Sequence, residues 1–74
     1  MKGVNMAIPE GRCLLKPLLE RAKLSQSELA KRTGIPREMI VKYVHKRAPI
    51  PLDKARMISR ALNCMIDDLY EWND

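Results

Sequence analysis

The chain has 74 residues and a net charge of +5, so it is one small domain near the lower size limit for a core without crosslinks. No apolar stretch approaches the roughly 18–20 residues that span a bilayer, and the N-terminus lacks the apolar segment of a signal peptide. Two cysteines, Cys13 and Cys64, and one histidine form neither a disulfide framework nor a zinc-ligand pattern. Composition therefore predicts a cytoplasmic protein with reduced cysteines and no metal or other cofactor.

Charge is divided unevenly along the chain. All 14 lysines and arginines lie within residues 1–60 together with five acidic residues, so this segment carries +9. Residues 61–74 hold four acidic residues and no basic one, which gives −4. A basic body with an acidic end favours a polyanionic partner bound on one face. The alternative is an ordinary solvated basic surface.

The chain begins with a segment that predicts no regular structure. Residues 1–11 contain two glycines and a proline, which favour a flexible tail. Residues 12–14 are predicted to be extended. The first helix is expected to begin near Leu15, because Pro17 is tolerated only in a first turn, where the amide hydrogens are unpaired.

Residues 24–47 carry the pattern of two short helices joined by a tight turn. Ser25 and Glu28 have the spacing of a capping box, which predicts a second helix over residues 26–33. Gly34 can adopt the left-handed conformation that ends a helix. A third helix is predicted over residues 36–45.

The third helix has an apolar side and a side suited to a DNA groove. Ile40 and Tyr43 occupy inward positions and are assigned to the core. The side chains that suit the groove are Arg37, Glu38, Val41, Lys42 and His45. This spacing is typical of a helix-turn-helix whose second helix reads DNA.

Two prolines after the third helix prevent it from continuing, and a fourth helix is predicted over residues 52–62. Its inward residues at helical spacing are Leu52, Ala55, Ile58, Ala61 and Leu62. Asn63 is predicted as a left-handed cap, and a fifth short helix is expected over residues 66–69.

A second extended segment ends the chain, at residues 70–72. Tyr70 and Trp72 alternate with Glu71, which is the pattern of a half-buried strand. Its extended partner in the sequence is residues 12–14, so these segments are predicted to pair with each other or across a dimer. The two aromatic residues then cover the core or contact a second subunit. The predicted fold is all-α, with five helices and a small two-stranded sheet.

The segments LSQSELAKRTGI and PLDKARMISRALNCMIDDL resemble those of the Cro/C1-type (XRE) helix-turn-helix transcriptional regulators of bacteria and phages. The resemblance covers about four fifths of the sequence and is closer to a small single-domain branch with flanking short strands. It implies a five-helix, lambda-repressor-like domain over residues 12–74, preceded by the tail of residues 1–11.

The resemblance also implies which side chains contact DNA. Base-reading residues would be Arg37, Glu38, Val41 and Lys42. Residues at the DNA backbone would be Gln26, Ser27, His45, Lys46 and Arg47. The chain departs from the family pattern at Pro36, where a serine or threonine cap is usual, and at Lys46, where glycine or a small polar residue is common.

Each base-reading side chain has an alternative role. Arg37 can pair with guanine O6 and N7, or contact a phosphate. Glu38 can accept from cytosine N4, or simply be favoured in the first turn of a helix. Val41 can meet a thymine methyl or remain a mildly exposed valine. Lys42 can contact either guanine or a phosphate.

We therefore expect a transcriptional regulator, by default a repressor, that binds double-stranded DNA sequence-specifically with its third helix in the major groove. One copy reads few base pairs, so a homodimer on a palindromic operator is the expected working unit. The alternative is a protein-interaction module with the same fold, such as an antitoxin or anti-repressor. No catalytic residue, membrane partner or small-molecule ligand is expected.

Overall fold

The structure is a computed structural model that describes residues 12–71, in which four α-helices lie between two short strands. The elements in chain order are β1 (Arg12–Cys13), α1 (Leu15–Ala22), α2 (Gln26–Thr33), α3 (Arg37–Val44), α4 (Leu52–Ala61), a 3-10 turn (Ile66–Leu69) and β2 (Tyr70–Glu71). The predicted tail and Trp72 lie outside the described residues. Over residues 12–71, no helix has the length and apolar character needed to cross a membrane.

The start of α2 has the predicted capping box. Ser25 Oγ accepts the N–H of Glu28 at 3.0 Å, and Glu28 Oε1 accepts the N–H of Ser25 at 2.9 Å. Two amide groups that the first helical turn leaves unpaired are satisfied in this way. The hydrogen bond from the Ser25 backbone also lowers the pKa of Glu28, because it favours the charged carboxylate.

Helix ends in this fold use left-handed residues, and most of these are not glycine. Gly34 ends α2 with φ of 78°, as predicted, and Asn63 follows α4 with φ of 56°, also as predicted. Lys23 and Lys46 adopt φ of 58° and 61° after α1 and α3. At the three non-glycine positions the N–H bonds to the carbonyl three residues earlier, and the next N–H bonds five residues back. This is the Schellman arrangement, which satisfies the last carbonyls of a helix.

The two strands pair antiparallel within one chain. Arg12 lies opposite Glu71 and Cys13 opposite Tyr70. The N–H of Leu14 continues the contact by donating to the carbonyl of Leu69 at 2.8 Å. The predicted pairing of the two ends is confirmed, and the pairing seen here is within the chain.

The core lies where the helices converge. Its buried apolar residues are Leu15, Leu19, Leu29, Ile35, Ile40, Tyr43, Val44, Ala55, Ile58 and Leu69. Ile40 and Tyr43 are core residues, as predicted. Burial raises the pKa of Tyr43, because the phenolate would lose its hydration.

The exposure of Leu52 and the form of the fifth helix differ from the prediction. Leu52 is 75% exposed rather than buried, because it is the first residue of α4 and side chains on a helix lean towards its N-terminus, past the end of the core. The predicted fifth helix is a single 3-10 turn over Ile66–Leu69. Asp68 closes this turn by donating its N–H to the Met65 carbonyl and accepting the Met65 N–H on its carboxylate, both at 2.9 Å. Since β2 follows directly, the chain has no room to extend the turn into an α-helix.

Candidate nucleic-acid interface

The turn between α2 and α3 is fixed by apolar burial and by one threonine. Leu29, Ile35 and Ile40 are buried in succession along α2, the turn and α3. Thr33 Oγ1 donates to the Leu29 carbonyl at 2.8 Å and accepts the N–H of Ile35 at 3.2 Å. The orientation of α3 relative to α2 therefore depends on packing and on hydrogen bonds within the turn.

The start of α3 differs by one residue from the prediction. Pro36 lies just before the helix with ψ of 140°, and Arg37 is the first helical residue. The Pro36 carbonyl accepts the N–H groups of Met39 and Ile40 at 2.9 and 3.2 Å. The proline ring offers no side-chain acceptor, so Pro36 replaces a serine or threonine cap with a preset backbone angle alone.

The predicted base-reading residues lie away from the core on α3. Arg37, Glu38 and Lys42 are exposed, and Val41 is half-buried. Their spacing along the helix places them on one face together with His45, which is exposed at the helix end. Within residues 12–71, neither Arg37 nor Lys42 forms an ion pair. Their charged groups are thus available to a partner.

The end of α3 presents two exposed cations on a defined backbone. Lys46 donates its N–H to the Tyr43 carbonyl at 3.1 Å, and Arg47 donates to the Lys42 carbonyl at 2.8 Å. Lys46 is left-handed, with φ of 61°, a conformation that costs a non-glycine residue about 1 kcal/mol. The backbone conformation of Lys46 therefore costs the fold some stability.

An open groove of about 520 Å³ joins the start of α2 to the end of α3. Its lining residues are Arg12, Cys13, Leu14, Lys16, Pro17, Gln26, Val44, His45 and Lys46. The structure thus brings together three of the five residues predicted at the DNA backbone, namely Gln26, His45 and Lys46. Ser27 and Arg47 are exposed but do not line the groove.

The groove also contains basic residues that the sequence pattern did not single out. Arg12 of β1 and Lys16 of α1 are exposed on its wall. They lie ten or more residues before Gln26 in the sequence, so their proximity follows from the packing of β1 and α1 against the helix-turn-helix. The available signal was that Arg12 lies in a predicted strand and Lys16 closely follows it, which does not identify a binding site until the packing is known.

Other site chemistries find little support in the described part of the chain. No group of three or more histidine, cysteine or acidic side chains is placed to hold a metal ion there. Cys13 and Cys64 are free thiols, and burial raises the pKa of Cys64, which favours the thiol over the more nucleophilic thiolate. The arrangement is suited to binding a polyanion.

Comparison with known proteins points the same way. Residues 15–74 match the family model of the Cro/C1-type HTH DNA-binding domain. The chain is also 30% identical over 63 residues to the SPbeta prophage-derived uncharacterized HTH-type transcriptional regulator YopS of Bacillus subtilis (strain 168). That alignment covers 84% of this chain and 85% of the relative.

Proposed function

The chain belongs to the family of Cro/C1-type helix-turn-helix DNA-binding domains, and we propose that it regulates transcription by inserting α3 into the major groove of double-stranded DNA. The observation that carries the proposal is the exposed face of α3. Arg37 and Lys42 lie there without ion pairs among the described residues, and the cations Lys46 and Arg47 follow directly. A helix of this diameter fits the major groove of B-form DNA.

Sequence is read in this proposal by side chains on the first two turns of α3. Arg37 donates two parallel hydrogen bonds to guanine O6 and N7, a contact worth about 1–3 kcal/mol of discrimination. Val41 contacts a thymine methyl, and Lys42 reaches a neighbouring base or phosphate. The Glu38 carboxylate accepts a hydrogen bond from cytosine N4, or it is stabilised by the positive N-terminal end of the helix dipole.

The DNA backbone is held on both sides of α3. Gln26, His45 and Lys46 meet in one groove, and the phosphate backbone is the DNA component that such a set of donors and cations recognises. Ser27 and Arg47 extend these contacts along the strand. Their role is to set the register of α3 without reading bases.

A pair of chains forms the working unit in this proposal. The reading face of one α3 is short and covers few base pairs, so selectivity requires two copies on a palindromic operator with half-sites about 34 Å apart. Bound at a promoter, such a dimer represses by excluding the polymerase. The prophage relative is named as an HTH-type transcriptional regulator, which supports a regulatory role.

The proposal is tested by selecting bound sites from a pool of random duplex DNA and then measuring affinity against salt. We expect a palindromic consensus and a steep linear fall of log affinity with log salt concentration, because phosphate contacts release counterions. A chain that enriches no sequence and binds duplex DNA without salt dependence contradicts the proposal. That result would favour a protein-interaction module.

A further inference from the structure

The groove beside the helix-turn-helix is lined by cations from three separate elements. Arg12 comes from β1, Lys16 from α1 and Lys46 from the end of α3, and all three side chains are exposed. Among residues 12–71, the side chains that line the groove include no acidic one. The remaining polar side chains there, Gln26 and His45, are a hydrogen-bond donor and an imidazole. The groove is therefore a positive surface that extends from the helix-turn-helix onto the β-ladder.

Arg12 has a competing carboxylate on the neighbouring strand. Its Nε lies 3.4 Å from Glu71 Oε1, and the two side chains are 66% and 60% exposed. The pair follows directly from the register of the ladder, in which Arg12 lies opposite Glu71. Because both groups stay largely hydrated, such an ion pair is weak, and a phosphate oxygen can displace or share it.

We propose that Arg12 and Lys16 bind DNA phosphates beyond those reached by the helix-turn-helix, and that Glu71 weakens this contact by holding Arg12 and repelling phosphate. The inference rests on the proposed binding of DNA. It gives the β-ladder a second role besides closing the fold, since the ladder places in register both a phosphate-binding cation and the carboxylate that competes for it. The affinity for the DNA backbone then depends on β2.

The test is the affinity of the full chain for a random-sequence duplex across a salt titration. Arg12→Gln and Lys16→Gln are each expected to lower affinity by about threefold to tenfold and to flatten the log–log salt slope by about one unit. Glu71→Gln is expected to raise affinity about twofold to fivefold, because Arg12 is released and one like charge is removed. Lys54→Gln is the matched control. Lys54 is also paired with a carboxylate, Asp53, at 3.9 Å, but it does not line the groove.

Opposite changes in affinity in Arg12→Gln and Glu71→Gln would show that Arg12 binds phosphate, and not only that the β-ladder has been loosened. Both variants remove the same ion pair, so a purely structural role would lower affinity in both, and that result overturns the inference. Unchanged affinity in Arg12→Gln and Lys16→Gln, with steep salt dependence in the unaltered chain, overturns this inference and leaves the proposed function standing. An unaltered chain that binds no duplex overturns both.

Discussion

The hydroxyl of Tyr70 accepts a hydrogen bond from the backbone N–H of Ile50 at 3.3 Å. Tyr70 is the first residue of β2, and Ile50 lies in the loop between α3 and α4, half-buried against the core. The terminal strand therefore holds the far end of the loop that begins with Lys46 and Arg47. The ladder and the loop at the candidate interface are joined by this contact, although 20 residues separate them in the sequence.

Tyr70→Phe is expected to destabilise the fold by about 1 kcal/mol, because the Ile50 N–H loses its partner in a partly buried setting. Urea denaturation measures the loss, and hydrogen exchange locates it, since the Ile50 amide should exchange faster. The Gly34 amide, which donates to the Ala30 carbonyl at 2.8 Å in the distant α2–α3 turn, is the internal control. Equal acceleration at both amides would show a global effect instead.

The local signals in the sequence were sufficient for most elements. The Ser25–Glu28 capping box, the left-handed Gly34 and Asn63, and the bounds of α2 agree with the structure, because each depends on side chains within a few residues. The start of α1 also agrees, because Pro17 is tolerated only in the first turn of a helix. Capping chemistry is short-range and can be read directly.

Features that depend on tertiary packing were harder to predict from the sequence. The burial of Leu52 was predicted from helical spacing and is wrong, since spacing does not reveal where a helix extends past the core. Lysine is not a residue that favours positive φ, so the side chains of Lys23 and Lys46 did not predict their left-handed conformations. The approach of Arg12 and Lys16 to Gln26 likewise depends on how β1 and α1 pack.

Arg37→Ala is expected to weaken binding to the selected operator by about 1–3 kcal/mol and to relax preference at one base position per half-site. The reason is the exposed place of Arg37 in the first turn of α3, without an ion pair among the described residues. Competition binding against operators altered one base at a time is the measurement. Arg60→Ala, which removes the same side chain from the exposed surface of α4, is the control and should change nothing. Equal loss for all sequences would make Arg37 a phosphate contact.

Lys46→Gly is expected to make the protein more stable and a weaker binder at once. Glycine relieves the left-handed strain and should raise the free energy of unfolding by up to about 1 kcal/mol. Loss of the charge should lower affinity for operator and random DNA alike and flatten the salt slope by about one unit. Urea denaturation and salt titrations on both duplexes measure the two effects.

The control for Lys46→Gly is Lys23→Gly, which removes the same side chain from the same backbone conformation at the end of α1. Lys23 does not line the groove, so this variant should gain similar stability and keep its affinity. A Lys46→Gly protein that binds as tightly as the original, with the same salt slope, would exclude Lys46 from the phosphate contacts.

The capping box should make stability depend on pH in the acidic range. The backbone hydrogen bond from Ser25 lowers the pKa of Glu28 below its ordinary value of 4.5. A carboxyl group whose pKa is lowered in the folded state stabilises the fold at pH values above its pKa in the unfolded chain. This stabilisation is lost as the pH falls through the pKa that the group has in the folded state. Glu28→Gln should therefore reduce the difference in unfolding free energy between neutral pH and about pH 3. Ser25→Ala should cost about 1 kcal/mol at neutral pH, and an unchanged pH profile in Glu28→Gln would assign the dependence to other carboxylates.

Ending the chain at Leu69 is expected to destabilise the fold more than Tyr70→Phe does. The truncation removes β2, so β1 loses its antiparallel partner strand. It also removes the Tyr70 hydroxyl that accepts the hydrogen bond from the Ile50 N–H. It also exposes the backbone of β1, whose N–H and carbonyl groups then need water as partners. Because we expect the terminal strand to contribute to dimerisation, the truncated chain should also sediment as a monomer, while α3 itself is untouched. Thermal melting measures the destabilisation, sedimentation velocity measures the loss of the dimer, and operator binding shows whether that loss weakens DNA binding. A truncated chain that melts at the same temperature, sediments as the same species and binds equally well would show that the ladder supports neither the fold nor the dimer.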